Sequence, residues 1–251
     1  MRPYNLSLLL LLIATSAFSQ QRKKVTDMPG DKHHKIKEVY YVLRSDNTVR
    51  DGPYQQLRND RLTVSGYYKN GQKDSVWEMY SNTQAILSRK WYDHGRMTGK
   101  WEFFNSNGEI SYTYDFATSK VTYTSAQPRS DTATCFYRND AGEWVRGHLD
   151  QPAVPLFGPA EWLSYLNDNF RYPDEAVEKH LQGKVVISMV VDENGQVSDY
   201  AVSTSAAPSL DKEALRVVSS HENLFAPAQK DGKKVRSVVF QPLVFKLEGD
   251  R

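Results

Sequence analysis

Six histidines and one cysteine are the side chains of this 251-residue sequence best suited to metal binding or nucleophilic chemistry, and their spacing serves neither. His33-His34 is the one adjacent histidine pair, and it lies inside the basic stretch Arg22 to Lys37. Adjacent histidines point in different directions on any regular element, and no cysteine or carboxylate cluster completes a ligand set, so the stretch reads as a solvated, disordered tail. His180 and His221 fall near the ends of expected helices, where surface placement is the default. Asp192-Glu193-Asn194-Gly195 invites a calcium reading, but the twelve-residue spacing of acidic ligands is missing. No Gly-x-Ser-x-Gly elbow, phosphate-cradling glycine loop or zinc-protease motif occurs. No catalytic, cofactor-binding or metal-binding residue is therefore assigned, and the chain reads as a non-enzyme. Cys135 stands alone, which excludes an intrachain disulfide and leaves stability to packed cores; the residue itself reads as a small buried hydrophobe.

What the sequence offers instead is a set of elements suited to export and docking. Arg2, the apolar run Leu8 to Ala14 and the small residues Ala17 and Ser19 read as a secretory signal peptide over residues 1–19. Thr15 and Ser16 interrupt the run well short of the ~18 apolar residues that a membrane span needs. The expected location is the periplasm, with membrane association should the leader remain uncleaved. Lys and Arg total 32 against 30 Asp and Glu, a net charge of +2 that argues against a nucleic-acid surface.

Residues 40–121 repeat. Tyr67-Tyr68-Lys69-Asn70-Gly71 with Val76-Trp77-Glu78-Met79-Tyr80 recurs 24 residues later as Trp91-Tyr92-Asp93-His94-Gly95 with Lys100-Trp101-Glu102-Phe103-Phe104. Asn70-Gly71 and Asn107-Gly108 are tight-turn dipeptides flanked by alternating aromatic segments, so the unit is a β-hairpin. One hairpin cannot bury its aromatic face, but a stack makes a ladder of aromatics on an extended antiparallel sheet, with Trp77, Trp91 and Trp101 as its core. The pattern from Tyr40 to Phe116 resembles the MORN-type repeat in its exported bacterial variant. That resemblance implies a scaffold or spacer, and a row of exposed aromatics would alternatively bind carbohydrate or a partner strand. Residues 122–156, rich in Ser, Thr and Ala with a proline-bearing hinge from Asp150 to Pro155, read as a partly ordered linker.

From 157 to 248 the pattern turns to mixed α and β. Pro159 opens a helix with Trp162, Leu163, Leu166 and Phe170 as its apolar stripe, and Tyr172-Pro173 stops it. A short helix over Asp174–Leu181 precedes a strand buried on both faces, Val185–Val191, which turns at Asp192-Glu193-Asn194-Gly195 into a partner strand from Gln196 to Thr204. Ser209 caps a further helix with Leu210, Ala214, Val217 and Val218 inward. A last strand spans about Val235 to Leu247. Pro242 inside it removes a ladder donor, which places that strand at a sheet edge, where Arg236 and Lys246 discourage indiscriminate pairing. The fold class is α+β: antiparallel strands with packed helices, preceded by an all-β hairpin-repeat sheet.

The string Tyr172-Pro173-x-x-Ala176, Gly183-Lys184-Val185, Val191-Asp192, Gly195-Gln196-Val197, Leu210-Asp211-x-x-Ala214, Phe225-x-Pro227-Ala228, Gly232 and Pro242-Leu243-x-Phe245 is similar to the TonB C-terminal domain family. The resemblance implies that the last strand pairs with the TonB box, a short segment of an outer-membrane transporter, by β-strand addition. It carries the protein-binding role to Tyr172, Pro173, Arg236, Ser237, Val238, Val239, Phe240 and Gln241. The implied partners are an outer-membrane TonB-dependent transporter and inner-membrane motor proteins, with no nucleic acid and no cofactor; exposed edges also permit a strand-exchanged homodimer. Energised family members carry an uncleaved membrane helix and a long proline-rich spacer. Hairpin repeats stand in the spacer's place here, which points to a coupler or adaptor. A rival reading makes the repeats the working part, as an envelope scaffold or wall-binding surface, with the C-terminal module as a generic protein-binding domain.

Overall fold

The computed structural model of the protein describes residues 22–29, 35–123 and 135–247. The expected signal peptide, His33-His34 and most of the Ser/Thr-rich bridge lie outside the described residues. The chain divides into two compact units, one holding residues up to Glu102 with Asp115–Ala117, the other Phe103–Tyr114 with Thr118 onward. The division falls earlier than the Asp150–Pro155 hinge. In the second unit the Tyr112 hydroxyl donates to the carbonyls of Pro155 (2.6 Å) and Phe157 (2.9 Å).

Nine strands form a meander in sequence order: β1 (Arg22–Asp27), β2 (Ile36–Leu43), β3 (Arg50–Arg58), β4 (Arg61–Lys69), β5 (Gln72–Tyr80), β6 (Ile86–Asp93), β7 (Arg96–Phe104), β8 (Ile110–Asp115) and β9 (Lys120–Tyr123). Arg22–Asp27 was expected within the disordered tail and is instead a full strand paired with β2. Its backbone completes the ladder, and the Arg22 guanidinium pairs with the buried carboxylate of Asp51.

The 24-residue repeat is visible in the bonding. Asn70-Gly71 and His94-Gly95 both take positive φ at each position, the type I′ geometry that matches strand twist. Gly71 N–H donates to Arg50 O and Gly95 N–H to Lys73 O, both at 2.8 Å. The Trp77 indole donates to Tyr67 O (3.2 Å), and the Trp101 indole to Trp91 O (3.0 Å). Along one face of the first unit the rings of Tyr54, Trp77, Tyr92, Trp101 and Phe116 follow one another at centroid spacings of 4.9–6.4 Å. Cations cover this row: Lys73 lies over Trp77 (4.7 Å) and Lys90 over Trp101 (5.5 Å). Trp91 is half-buried and contributes its carbonyl rather than a ring to the row.

The opposite parity of the same strands carries an ion ladder. Arg89 bonds Glu78 (2.8 Å) and Glu102 (3.0 Å), and Tyr80 donates to Glu78 (2.6 Å). Burial opposes ionisation of Glu78, but the Tyr80 and Arg89 hydrogen bonds outweigh it and hold the carboxyl below its ordinary value. A lowered folded pKa stabilises the fold above the ordinary glutamate range, and that stabilisation is lost as pH falls through the folded value. Thermal melts between about pH 6 and pH 3 should show this loss, and Glu78→Gln should flatten the profile over that range. An unchanged slope in the variant would contradict the assignment.

The second unit is built on a five-stranded sheet of order β11-β10-β18-β13-β14: β10 (Cys135–Arg138), β11 (Trp144–Gly147), β13 (Gly183–Val191), β14 (Val197–Thr204) and β18 (Ser237–Phe245). Two small pairs accompany it, β12 (Val154–Pro155) with β15 (Phe225–Ala226) and β16 (Ala228–Lys230) with β17 (Lys233–Val235). The helices are α1 (Pro159–Asn169), α2 (Asp174–Glu178) and α3 (Pro208–Ser220). The core joins Leu210, Ala214, Val217 and Val218 of α3 to Val185, Ile187, Met189 and Val191 of β13 and to Leu243 and Phe245 of β18.

The packing of this unit departs from several sequence expectations. β13 is buried on one face only, because its other face, with Val186, Ser188 and Val190, stays half-exposed. On α1, Trp162, Tyr165 and Leu166 pack on the core, as does Phe170 just past its end, while Leu163 is 53% exposed, turned off that stripe by the 100° step per residue. α2 stops at Glu178, short of Leu181, and His180 takes φ 51°. α3 starts at Pro208 rather than at a Ser209 cap, since proline's fixed φ and missing N–H suit the first helical position. The loop before it is held by Asp211, which accepts from Ser205 Oγ (2.5 Å) and Ala206 N–H (3.2 Å). His221 is half-buried among Phe157 (4.4 Å), Tyr165 (4.5 Å) and Trp162 (5.2 Å). Cys135 is half-buried, and that burial raises its thiol pKa.

Candidate strand-docking edge

β18 pairs with β13 without a register shift from Gly183↔Phe245 to Val191↔Ser237. Proline at 242 led to the expectation of a free edge strand. The strand is instead central in the sheet order, because β10, in the stretch read as linker, lies on its other side. That contact is short: a single register pair, Tyr137↔Ser237, beside which Arg138 N–H donates to Arg236 O at 2.8 Å.

This bond fixes which backbone groups face outward. Along an antiparallel strand the N–H and C=O of successive residues point to alternate sides. Arg236 points away from β13, so Val238, Phe240, Pro242 and Val244 do as well. Beyond Val238 no strand lies on that side among the described residues. Pro242 thus faces its missing donor toward the open side, where no ladder bond is lost, and the proline rule holds locally. Phe240 and Val244 are 46% and 70% exposed, while the alternating Leu243 and Phe245 are buried. The open stretch offers acceptors at Phe240, Pro242 and Val244, and donors at Phe240 and Val244.

The residues singled out in the sequence divide accordingly. Arg236 and Ser237 are already engaged by β10. Val238 adjoins that contact, Val239 and Gln241 point their backbone groups to β13, and Phe240 alone of the six faces the open side. Tyr172 and Pro173 lie at the far end of β18: the Tyr172 ring meets Phe245 edge-on at 5.7 Å, and its hydroxyl donates to Leu181 O at 2.6 Å. Desolvation raises the Tyr172 phenol pKa. Pro173 precedes α2 and its carbonyl accepts from Ala176 N–H at 2.9 Å. Pro242 and Val244 lie beyond the predicted Arg236–Gln241 span; in the structure they are exposed and alternate with the buried Leu243 and Phe245, a pattern that the mostly apolar run from Phe240 to Phe245 does not show in the sequence.

Residues 168–247 match the family model of the Gram-negative bacterial TonB protein C-terminal. These residues form a TonB C-terminal domain. The TonB C-terminal domain thus takes in α2, β13, β14, α3 and β15 to β18, with the end of α1, whereas β10 and β11 precede it in the chain. A search of curated proteins found no match. Among solved structures, one described as the crystal structure of TarM is 11% identical, over 45% of this chain and 23% of that one, with a TM-score of 0.25.

Among the described residues, one group of potential metal ligands comes together outside this domain: Asp74, Asp93 and His94 each bring a ligand atom within 4.8 Å of the others. The β5–β6 pairing creates it, so spacing in the sequence gave no sign of it. Its bonds are those of a turn lock. Asp74 accepts from the His94 backbone N–H (3.4 Å), as Asp51 does from Asn70 N–H (2.9 Å) one repeat earlier, and His94 Nδ1 shares a hydrogen with Asp93 (2.5 Å). No helix among the described residues is long and apolar enough to cross a membrane.

Proposed function

We propose that the TonB C-terminal domain binds an extended segment of the TonB-box type from an outer-membrane transporter, added as a strand along the open side of β18. The protein would act in the periplasm as a coupler or adaptor for transport across the outer membrane. The supporting observation is the set of outward backbone groups at Phe240, Pro242 and Val244 on a strand whose other side is fully paired. The TonB C-terminal family is a non-enzymatic, energy-transducing module, and no catalytic step is assigned to this chain. A strand of this length buries well below the ~1,200 Å² of a standard interface. The expected affinity is near micromolar, about −8 kcal/mol.

The test is fluorescence anisotropy of the full chain titrated with a labelled TonB-box peptide. Phe240→Pro removes an outward donor without touching a bond to β13, and should weaken binding about tenfold, near 1.4 kcal/mol. Phe240→Ala keeps the donor and should retain most of the affinity. Unchanged binding in Phe240→Pro, with circular dichroism showing an intact fold, would count decisively against the proposal.

For the hairpin sheet we infer a spacer or scaffold role. Its buried Trp77 and Trp101 rings, packed on neighbouring aromatics and covered by Lys73 and Lys90, support a structural row rather than an open binding platform.

A further inference from the structure

We propose that the β10–β11 hairpin is an internal occupant of the docking strand, held loosely enough to leave, and that it sets how much of β18 a partner can reach. The inference rests on the docking role of β18 proposed above and adds its regulation.

Four observations carry it. The hairpin lies on the side of β18 that faces away from β13, collinear with the open stretch, so it holds one part of the edge a docking strand would use. Its pairing with β18 is confined to one register pair, beside which Arg138 N–H donates to Arg236 O. No residue of β10 or β11 is buried, and Phe136 and Trp144 remain exposed, so little apolar area secures the hairpin. Between its turn and the β16–β17 hairpin lies a cavity of about 320 Å³ lined by Tyr137, Arg138, Asp140, Lys230 and Lys233. The tie there is the exposed ion pair of Asp140 with Lys233 at 2.9 Å. A two-stranded hairpin is marginal by itself in water, and an exposed ion pair adds little. Departure of the hairpin would free the outward carbonyl of Arg236 and the outward groups of Val238, extending the open edge from three outward residues to five.

The pairing supplies a means of testing this. Tyr137 and Ser237 stand opposite one another across the two strands. Tyr137→Cys with Ser237→Cys, in a chain whose lone cysteine Cys135 is replaced by Ala, therefore allows one defined disulfide that locks the hairpin in place. Arg138→Pro removes the N–H that bonds Arg236 O; because Arg138 directs that group to β18, the β10–β11 pairing is spared.

The probe is the labelled TonB-box peptide, read by anisotropy on the full chain. Hydrogen exchange of the Phe136 and Arg138 amides is measured in parallel, without peptide. Arg138→Pro should bind about tenfold more tightly than the parent, because affinity scales with the fraction of chains whose edge is free. The oxidised Tyr137→Cys, Ser237→Cys protein should bind at least about tenfold more weakly than the same protein reduced. The hairpin amides should exchange far faster than those of Ile187 and Met189 in β13. Hairpin amides as protected as those of β13, or affinities equal in the locked, parent and Arg138→Pro proteins, would overturn the inference while leaving docking at the open stretch intact. Failure of every form to bind, with the hairpin amides exchanging fast, would overturn the docking reading and this inference with it.

Discussion

Gly195→Ala is expected to lower the unfolding free energy of the protein by about 3 kcal/mol or more, placing it among the most damaging single substitutions available. Gly195 takes φ 81° in the turn between β13 and β14, where its N–H donates to Asp192 O. A Cβ there would stand 1.9 Å from the carbonyl oxygen of Phe225, a backbone atom that cannot swing aside. The neighbouring Phe225 N–H donates to Gly195 O at 3.0 Å, and the Phe225 ring is 3% exposed in the core. Relieving the collision therefore costs a backbone bond and disturbs a buried aromatic together. Gly232→Ala supplies the comparison: its φ is 73°, but nothing lies within 4 Å of a Cβ, so only the left-handed strain of about 1 kcal/mol applies. Urea unfolding of both variants distinguishes the two terms. Equal losses would show that the approach of Phe225 does not matter.

Trp101→Ala should cost about 3–5 kcal/mol, the range for deleting a buried large aromatic. The ring is 1% exposed, lies 5.4 Å from Tyr92 and 4.9 Å from Phe116, and donates its indole N–H to Trp91 O. The substitution opens a void in the middle of a single row of rings and removes the donor from that carbonyl. A sheet of hairpins has few other layers with which to refill the gap. Val76→Ala, at a surface position of β5, should change stability by about 0.5 kcal/mol or less. Denaturant melts followed by tryptophan fluorescence would reveal the contrast, and near-equal midpoints would refute the core role of the row.

Local rules made much of this protein legible in its sequence. Turn dipeptides at Asn70-Gly71 and Asp192 to Gly195, the 24-residue recurrence of Trp77 and Trp101, and the alternation of Val185, Ile187, Met189 and Val191 each report on a few neighbouring bonds, so they fixed the hairpins and the core strand. The family string over the C-terminal module did the same for the TonB C-terminal domain. Other features depended on long-range pairing. Whether Arg22–Asp27 is a tail or a strand depends on the ladder offered by β2 and on a buried carboxylate at Asp51, and its own lysine-rich composition records neither. The burial of His221 depends on rings brought from Phe157 and α1. The docking strand shows the division most clearly. Pro242 told, from φ and a missing donor, that one side of its strand must be free at that residue. Only the tertiary structure decided that Arg236 and Ser237, a few residues earlier on the same strand, are covered by β10, because that pairing joins segments about a hundred residues apart through backbone groups that carry no side-chain signature.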